Sequence, residues 1–343
     1  MPKKATLRDI ARQADVALST VSQVLNNKPG VSPEMRQRVL KTASDLGYRQ
    51  KIEIDSPVVP MLNAVGLLTK RYNGDPLMVN PFYSYIIAGA ENECQRHNLN
   101  LMYANIEVDE CNRALSLPPM LLDERVDGVM IVGTFLEETI FDISRRAGRR
   151  SVVLVDAYTS GETNFDSVVI DSIGGSMRAI SYLVEMGHRH IGLIGSNPES
   201  YPSVLERRQG YLLALQQHGL EPHIEDSPLL RPDAFQATLR LMKRVPEITA
   251  IFACNDNVAI GVMNALKHMG LNIPGDVSIV GFDDIDLAQE VEPPLTTIHV
   301  DKVLMGATAL RHLLDRSEDP NRPALKTLVT TQLIIRNSVR NLL

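Results

Sequence analysis

Residues 6–48 read TLRDIARQADVALSTVSQVLNNKPGVSPEMRQRVLKTASDLGY, and apolar positions recur at helical spacing in three short runs. Thr6, followed three residues later by Asp9, makes a cap for the first run, in which Leu7, Ile10, Ala11 and Ala14 share a face. Asp15 and Val16 turn the chain. The second run, Leu18 to Leu25, turns Val21, Val24 and Leu25 inward and leaves Ser19, Thr20, Ser22 and Gln23 outside. After the NNKPG loop, Ser32 caps a third helix, Pro33 stands in its first turn, and Gly47 ends it.

Two short helices joined by a tight turn form a helix-turn-helix, whose second helix fits the DNA major groove and reads base edges with protruding side chains. Periodicity alone is also compatible with a plain three-helix bundle. Charge adds a second line. Residues 1–51 hold ten Lys/Arg against four Asp/Glu, a net of +6, while the rest of the chain is −12 within a total of −6. A basic end on an acidic body points to a polyanion-binding module, with a solvated charged face as the bland alternative.

The identities and spacing decide between these. The stretch resembles the DNA-binding headpiece of the lactose-repressor (LacI/GalR) family, which runs T-x-x-D-V-A-x-x-A-G-V-S-x-x-T-V-S, then V-S-x-x-T-R, then L-x-Y. The match covers most of the first 48 residues. By that resemblance Leu18, Ser19 and Gln23 read bases. Thr6, Thr20, Ser22 and Asn26 contact phosphates or flank the bases, and Leu7 belongs to the same DNA-binding set. Two residues depart from the pattern. Asp15 stands where glycine is usual in the turn, and Asp tolerates the left-handed region better than most residues. Ala17 replaces a serine cap, a loss of about 1 kcal/mol that implies weakened affinity, not lost function.

From Asn63 onward, strand-like runs such as NAVGLLT, VDGVMIVG, SVVLVDA, SVVIDS, HIGLIGS, AIFACND and VSIVGFD alternate with helical ones such as YSYIIAGAENECQRHN and NVAIGVMNALKHMG. Apolar runs ending in Gly, Asp or Asn before a helix predict parallel sheets covered on both faces. Their number exceeds one sheet and predicts two doubly wound lobes with a ligand between them at the strands' C-terminal ends. The family resemblance continues through NPFYSYIIAGAENE, GHRHIGLIG, RRQGYLLAL, CNDNVAIG, VSIVGFDD and PPLTTI, and implies a periplasmic-binding-protein-like effector core. It implies a headpiece at 1–49, a linker at 50–62 and a core at 63–343. The N-lobe would be about 63–161 plus 298–325, and the C-lobe about 162–297 plus 326–343.

Matching the motifs one by one places Phe82 and Tyr83 on the N-lobe rim, with Asp156, Ser203, Arg207, Asn255, Asn257 and Asp283 as effector-binding candidates. Arg207 is the strongest, because a guanidinium fork holds two oxygens at once. Phe82 and Tyr83 have a core alternative, and Asp156 a loop-capping one. Asp256 and Asp284, beside the candidates, are read as helix caps or turn formers. Asp283 and Asp284 do not form an acid pair, since neighbours on a strand face opposite ways. Purine-binding relatives carry an arginine six residues before the position of Arg207, where this chain has Tyr201, so a purine is disfavoured. Leu229 stands where several sugar binders carry an aromatic platform. A sugar remains the expected effector on the family's pattern.

The remaining features bound the function. Cys94, Cys111 and Cys254 make neither a disulfide framework nor a Cys-x-x-Cys pair, which predicts free thiols in a reducing cytoplasm. No Cys or carboxylate completes a metal set around His188 and His190, and no cofactor is expected. P-loop, Rossmann and hydrolase motifs are missing, so an enzyme is not expected. The rival reading is a cytoplasmic small-molecule-binding α/β protein, or an enzyme, with vestigial DNA binding. No run reaches the roughly 18 apolar residues of a membrane span and no signal peptide opens the chain. The sequence stops at Leu343 without a leucine-heptad tail, so a homodimer on double-stranded operator DNA is expected.

The linker is where the chain departs most from the family. From Tyr48 it reads YRQKIEIDSPVVPMLNAVG, against a usual Y-x-P-N-x-x-A-R-x-L that folds into a hinge helix on DNA. Pro57 falls where the wedging leucine belongs, and a proline inside so short a helix costs about 3 kcal/mol. No hinge helix of the usual kind is expected, and KIEI would run extended, with Ile52 or Ile54 as the apolar wedges.

Overall fold

Thr6 opens the first helix as the spacing predicts: its hydroxyl accepts from the Asp9 N–H, and the Asp9 carboxylate accepts from the Thr6 backbone in return. This helix, α1 (Leu7–Gln13), is followed by α2 (Leu18–Leu25) and α3 (Pro33–Asp45). The computed structural model describes residues 6–25, 31–46, 62–72, 81–109, 112–159, 165–198 and 200–343. The chain divides into two compact units, Met1–Val59 and Pro60–Leu343. In the first, Ile10, Ala14, Val21, Val24, Val39 and Ala43 form a small core between the three helices. Asp15 takes φ +53°, the left-handed turn that a glycine would otherwise supply. Ala17 contributes only its carbonyl, which accepts from Thr20 and Val21. Asn26 and the linker expectations at 50–61, Pro57 and Ile52 or Ile54 among them, lie outside the described residues.

The second unit alternates strands and helices. In chain order these are β1 (Ala64–Tyr72), α4 (Pro81–Arg96), β2 (Asn100–Val108), β3 (Gly128–Val132), α5 (Glu137–Ala147), β4 (Ser151–Val155), β5 (Asp166–Ile170), α6 (Ser172–Glu185), β6 (Ile191–Ile194), α7 (Pro202–His218), β7 (His223–Glu225) and α8 (Arg231–Arg244). There follow β8 (Ala250–Ala253), α9 (Asp256–His268), β9 (Ser278–Asp283), α10 (Leu287–Glu290), β10 (Thr296–His299), α11 (Lys302–Glu318), β11 (Lys326–Val329) and β12 (Gln332–Ile334). They build two six-stranded sheets, ordered β11-β5-β4-β3-β1-β2 and β12-β10-β9-β8-β6-β7. Every pairing between these strands is parallel except β12 on β10. Strands β3, β5, β6, β8 and β9 are buried at every position, because helices cover both faces.

Sheet pairing corrects the expected lobe boundaries. β5 pairs with β4 and β11 with β5, so 166–170 and 326–329 belong to the N-lobe, not to the C-lobe where the family pattern put them. β10, through His299, belongs to the C-lobe. The chain therefore passes between lobes just after β5, β10 and β11. SVVIDS is β-branched enough to suit either sheet, and only its distant pairing partner assigns it.

Two features fix the N-lobe geometry. Helices α4 and α11 approach so closely that a Cβ on Gly306 would lie 1.9 Å from the Ile86 carbonyl, and one on Gly89 would lie 2.1 Å from that of Val303. Any side chain there would force the helices apart. At the start of β5, beside the start of β11, Asp166 is buried and accepts from Arg316 Nε (2.9 Å), Arg322 Nη2 (2.9 Å) and the Leu325 N–H (2.8 Å). Burial alone would raise its pKa, but the two guanidiniums and the N–H outweigh it and hold the carboxyl below the ordinary range.

Candidate DNA-reading face and effector cleft

On α2, Leu18, Ser19, Ser22 and Gln23 are exposed at helical spacing while Val21 and Val24 are buried beneath them. Leu18, an apolar side chain at 44% exposure, suits contact with a thymine methyl, and Gln23 suits bidentate bonding to adenine. Thr20 is half-buried. Thr6 is exposed, with its hydroxyl in the α1 capping box, and Leu7 packs half-buried against the headpiece core.

The cleft residues come from strand ends and the helices that follow. Asp156, directly after β4, and Asp283, at the end of β9, adopt φ of +57° and +107°. Arg207 rises from the second turn of α7, 5% exposed, with its guanidinium 3.9 Å above the Phe282 ring. Its Nη1 donates to the Cys254 carbonyl (2.6 Å) and its Nη2 lies 3.0 Å from Asp283 Oδ1. That last contact is an ion pair without hydrogen-bond alignment. Arg207 Nε and Asp283 Oδ1 are both buried without a hydrogen-bond partner, a costly state that a ligand with hydroxyl or other polar groups would relieve. Tyr83 donates to Asp156 Oδ2 (3.3 Å) and stands edge-on to Phe82, which is itself buried in the main core cluster.

Other candidates are placed differently. Asn255 caps α9, accepting from the Val258 N–H at 2.8 Å. Asn257 accepts from Arg231 on α8 (2.8 Å), and no described contact joins it to Arg207 or Asp283. Ser203 lies half-buried in the first turn of α7. Asp256 is buried and accepts from Thr297 Oγ1 (2.5 Å) and the Ile285 N–H (2.9 Å). Asp284 turns instead to His299 (2.8 Å) and Arg336 (2.7 Å). Neither caps a helix: Asp256 holds the turn after β9 through Ile285, and Asp284, within that turn, ties it to β10 and Arg336. His188 bonds Thr249 Oγ1 and the Arg340 carbonyl, and burial lowers its pKa to about 4.

The cleft also contains residues that no sequence motif marks. Lys70, near the end of β1, donates to the Thr134 carbonyl (2.9 Å) and to Tyr201 OH (2.8 Å). Lys302 donates to the Asp283 and Asp284 carbonyls (2.5 and 3.1 Å), fixing the turn that carries Asp283. Tyr158 donates to Glu206 at 3.0 Å.

Electrostatics follow from burial. Asp156 is pushed up to about 7, chiefly by burial; Arg207 and Tyr83 oppose the rise, and Asp283 and Glu206 add to it. Asp256 rises to about 8, again mainly by burial. The folded chain therefore holds a proton on Asp156 that the unfolded chain releases above the ordinary aspartate value of 3.8. This carboxyl contributes stability that is intact below about pH 4 and lost as pH rises through about 7. Asp156→Asn is expected to flatten the decline of Tm over that window, read by calorimetry at matched ionic strength. A constant Tm difference between variant and parent would mean that Asp156 titrates normally.

Comparison with known proteins places these features. Residues 6–51 match the model for bacterial regulatory proteins of the lacI family, and residues 180–339 match the periplasmic binding protein-like domain. The ribose operon repressor of Haemophilus influenzae is 32% identical over 342 residues, covering 98% of this chain and 99% of that protein. Among solved structures, the transcriptional regulator CelR in its cellobiose complex aligns with TM-score 0.70 and 27% identity, over 97% of this chain and 99% of that one. The Lac repressor dimer bound to operator and the anti-inducer ONPF aligns with TM-score 0.69 and 25% identity, over 98% of this chain and 100% of that one.

Proposed function

This chain belongs to the lacI family of bacterial regulatory proteins, and from that premise we propose that it is a homodimeric transcriptional repressor whose operator affinity is set by a small effector held between the core lobes. The observation that carries the effector reading is a pair of buried polar atoms at the strand ends: Arg207 Nε, which has no hydrogen-bond partner, and Asp283 Oδ1, which is held only by its ion pair to Arg207 Nη2. Tyr83 and Asp156 supply further hydrogen-bonding groups beside them. Arg207 donates from Nε to a ligand oxygen, Asp283 and Asp156 accept from hydroxyls, and Ser203 and Asn255 line the wall. Asn257, tied to Arg231, has a supporting role. The cellobiose of one relative and the ribose operon of another make a sugar or sugar derivative the first class to test. Double-stranded operator DNA in the cytoplasm is the partner of the headpiece. No helix among the described residues is long and apolar enough to cross a membrane.

In the headpiece, Leu18, Ser19 and Gln23 read bases, and Thr6, Thr20, Ser22 and Asn26 set the register on phosphate. Leu7 acts through packing. The test is gel retardation of a palindrome near the gene's own promoter at two salt concentrations, with a sugar panel that includes cellobiose and ribose. Binding that falls steeply with salt, and that one sugar alters, supports the proposal; the absence of retardation at low salt sinks it. Gln23→Ala is expected to weaken specific binding by about 10- to 100-fold, the scale of one bidentate base contact, with the salt slope unchanged. Equal weakening on specific and random DNA would instead mark Gln23 as a phosphate contact.

A further inference from the structure

Away from the crossing segments, three tyrosine hydroxyls among the described residues form hydrogen bonds between the two lobes. Tyr85 on α4 donates to Asp286, the residue before α10, with its hydroxyl 2.9 and 2.7 Å from the two carboxylate oxygens. Tyr158, just after β4, donates to Glu206 on α7 at 3.0 Å. Tyr201, which caps α7, accepts from Lys70 of β1 at 2.8 Å, and the same ammonium lies 4.3 Å from the centre of its ring. The bonds reach α7 at both Tyr201 and Glu206 and α10 from the side of α4, so closure is held at separate points around the cleft. None of the three uses Arg207, Asp156 or Asp283, the groups assigned to the effector. Lys326 adds a contact within the N-lobe, its ammonium 3.3 Å over the Tyr158 ring, which fixes the ring that reaches Glu206.

We propose that Tyr85, Tyr158 and Tyr201 form an interlobe latch that keeps the cleft closed without an effector. The mechanism is a population shift. Each bond joins the two lobes, so separating them would break it, and the set biases the open–closed equilibrium before any ligand arrives. An effector then meets a largely preorganised site and does not spend its binding energy on closure. The inference goes beyond the proposed function, because it concerns the empty cleft and holds whatever the effector proves to be.

The test places a dye pair on exposed positions of the two lobes, Glu124→Cys and Lys243→Cys, in a full-length Cys111→Ser background. The labelled chain is diluted with unlabelled chain, so that energy transfer reports within one copy. Cys94 and Cys254 are buried. The parent is expected to show high transfer without ligand and little change on adding an effector sugar. The triple variant Tyr85→Phe, Tyr158→Phe, Tyr201→Phe is expected to show lower transfer that recovers with the sugar, and effector affinity lower by about tenfold, the lower end of the scale of a hydrogen bond to a charged group. A parent that is open until sugar is added overturns the latch, and so does a triple variant with unchanged ligand-free transfer. Should the triple variant fail to fold, the pair Asp286→Ala and Glu206→Ala breaks two of the same bonds from the C-lobe. Its ligand-free transfer must fall for the latch to stand. If the chain binds no sugar, the ligand-free comparison of parent and variant still decides the latch, so its failure is distinguishable from failure of the effector reading.

Discussion

Arg207→Met is expected to weaken effector binding at least 100-fold while leaving effector-free operator binding within about threefold of the parent. The size follows from what the guanidinium does. It is 5% exposed, stacked on Phe282, bonded to the Cys254 carbonyl and paired with Asp283, with Nε left for a ligand. A charged donor aimed at a ligand in a dry cleft is worth about 2–5 kcal/mol, and most of that is lost when it is truncated. The same change leaves Asp283 buried beside Asp156 and Asp256 with its main opposite charge gone. Burial already raises the pKa of Asp283, and losing Arg207 raises it further. Stability and binding can then be separated. Adding Asp283→Asn to Arg207→Met removes the buried ionisable orphan and is expected to regain Tm without regaining binding. Calorimetric titration with whichever sugar binds the parent, beside thermal melts of all four chains, makes the cycle complete. Full binding by Arg207→Met would place the effector elsewhere.

How far the sequence foretells these features depends on how local each cause is. The headpiece is readable almost to the residue, because caps, apolar faces and turn residues act within a few positions. Leu18–Leu25 and the Pro33 start agree with the expected spans, and Asp15 adopts the left-handed turn. In the core, strand and helix types are readable where runs are long. The three-residue strands β7 and β12, and the lobe to which β5 belongs, are not, since a short or uniformly β-branched segment is assigned by its partner and not by its own pattern. Asp283 and Asp284 do take different partners, but not by alternation along a strand: β9 ends at Asp283, both residues have positive φ, and this turn sends the first to Arg207 and the second to His299 and Arg336. Lys70 is hidden for a specific reason. The apolar pattern of β1 stops at Thr69, whereas the strand runs on to Tyr72, so a charged residue at a strand end looks like loop. Tyr158, Tyr201 and Glu206 carry no signal of their own. They matter only because their partners lie in other elements.

The largest stability loss is expected at Asp166→Ala, about 3–5 kcal/mol, enough to lower Tm by several degrees in a chain of this size. Asp166 is buried at the start of β5 and is the shared anion of Arg316 and Arg322, whose side chains are 16% and 15% exposed. It also accepts the Leu325 N–H just before β11. Removing it strands two guanidiniums in a site of low exposure, and breaking one side of a buried ionic cluster costs far more than the cluster itself contributes. The damage is directional. Arg316 also donates to the Pro320, Arg322 and Pro323 carbonyls, and Arg322 to that of His312, so the 319–325 loop loses its central tie while α11 keeps its packing on α4. The depressed pKa of Asp166 gives a second signature. Its stabilising contribution is present above the ordinary carboxylate range and is lost as pH falls through the lowered folded value. Parent and Asp166→Ala melts should therefore converge in acid and separate towards neutral pH. Asp166→Asn keeps an acceptor for Leu325 but not the charge, and is expected to fall between the two. Because β11 carries the chain into the last crossing between the lobes, Asp166→Ala should also loosen effector binding modestly, by less than Arg207→Met does. A variant with parental Tm at neutral pH would show that the two arginines find other partners and that this cluster does not hold the entry to β11.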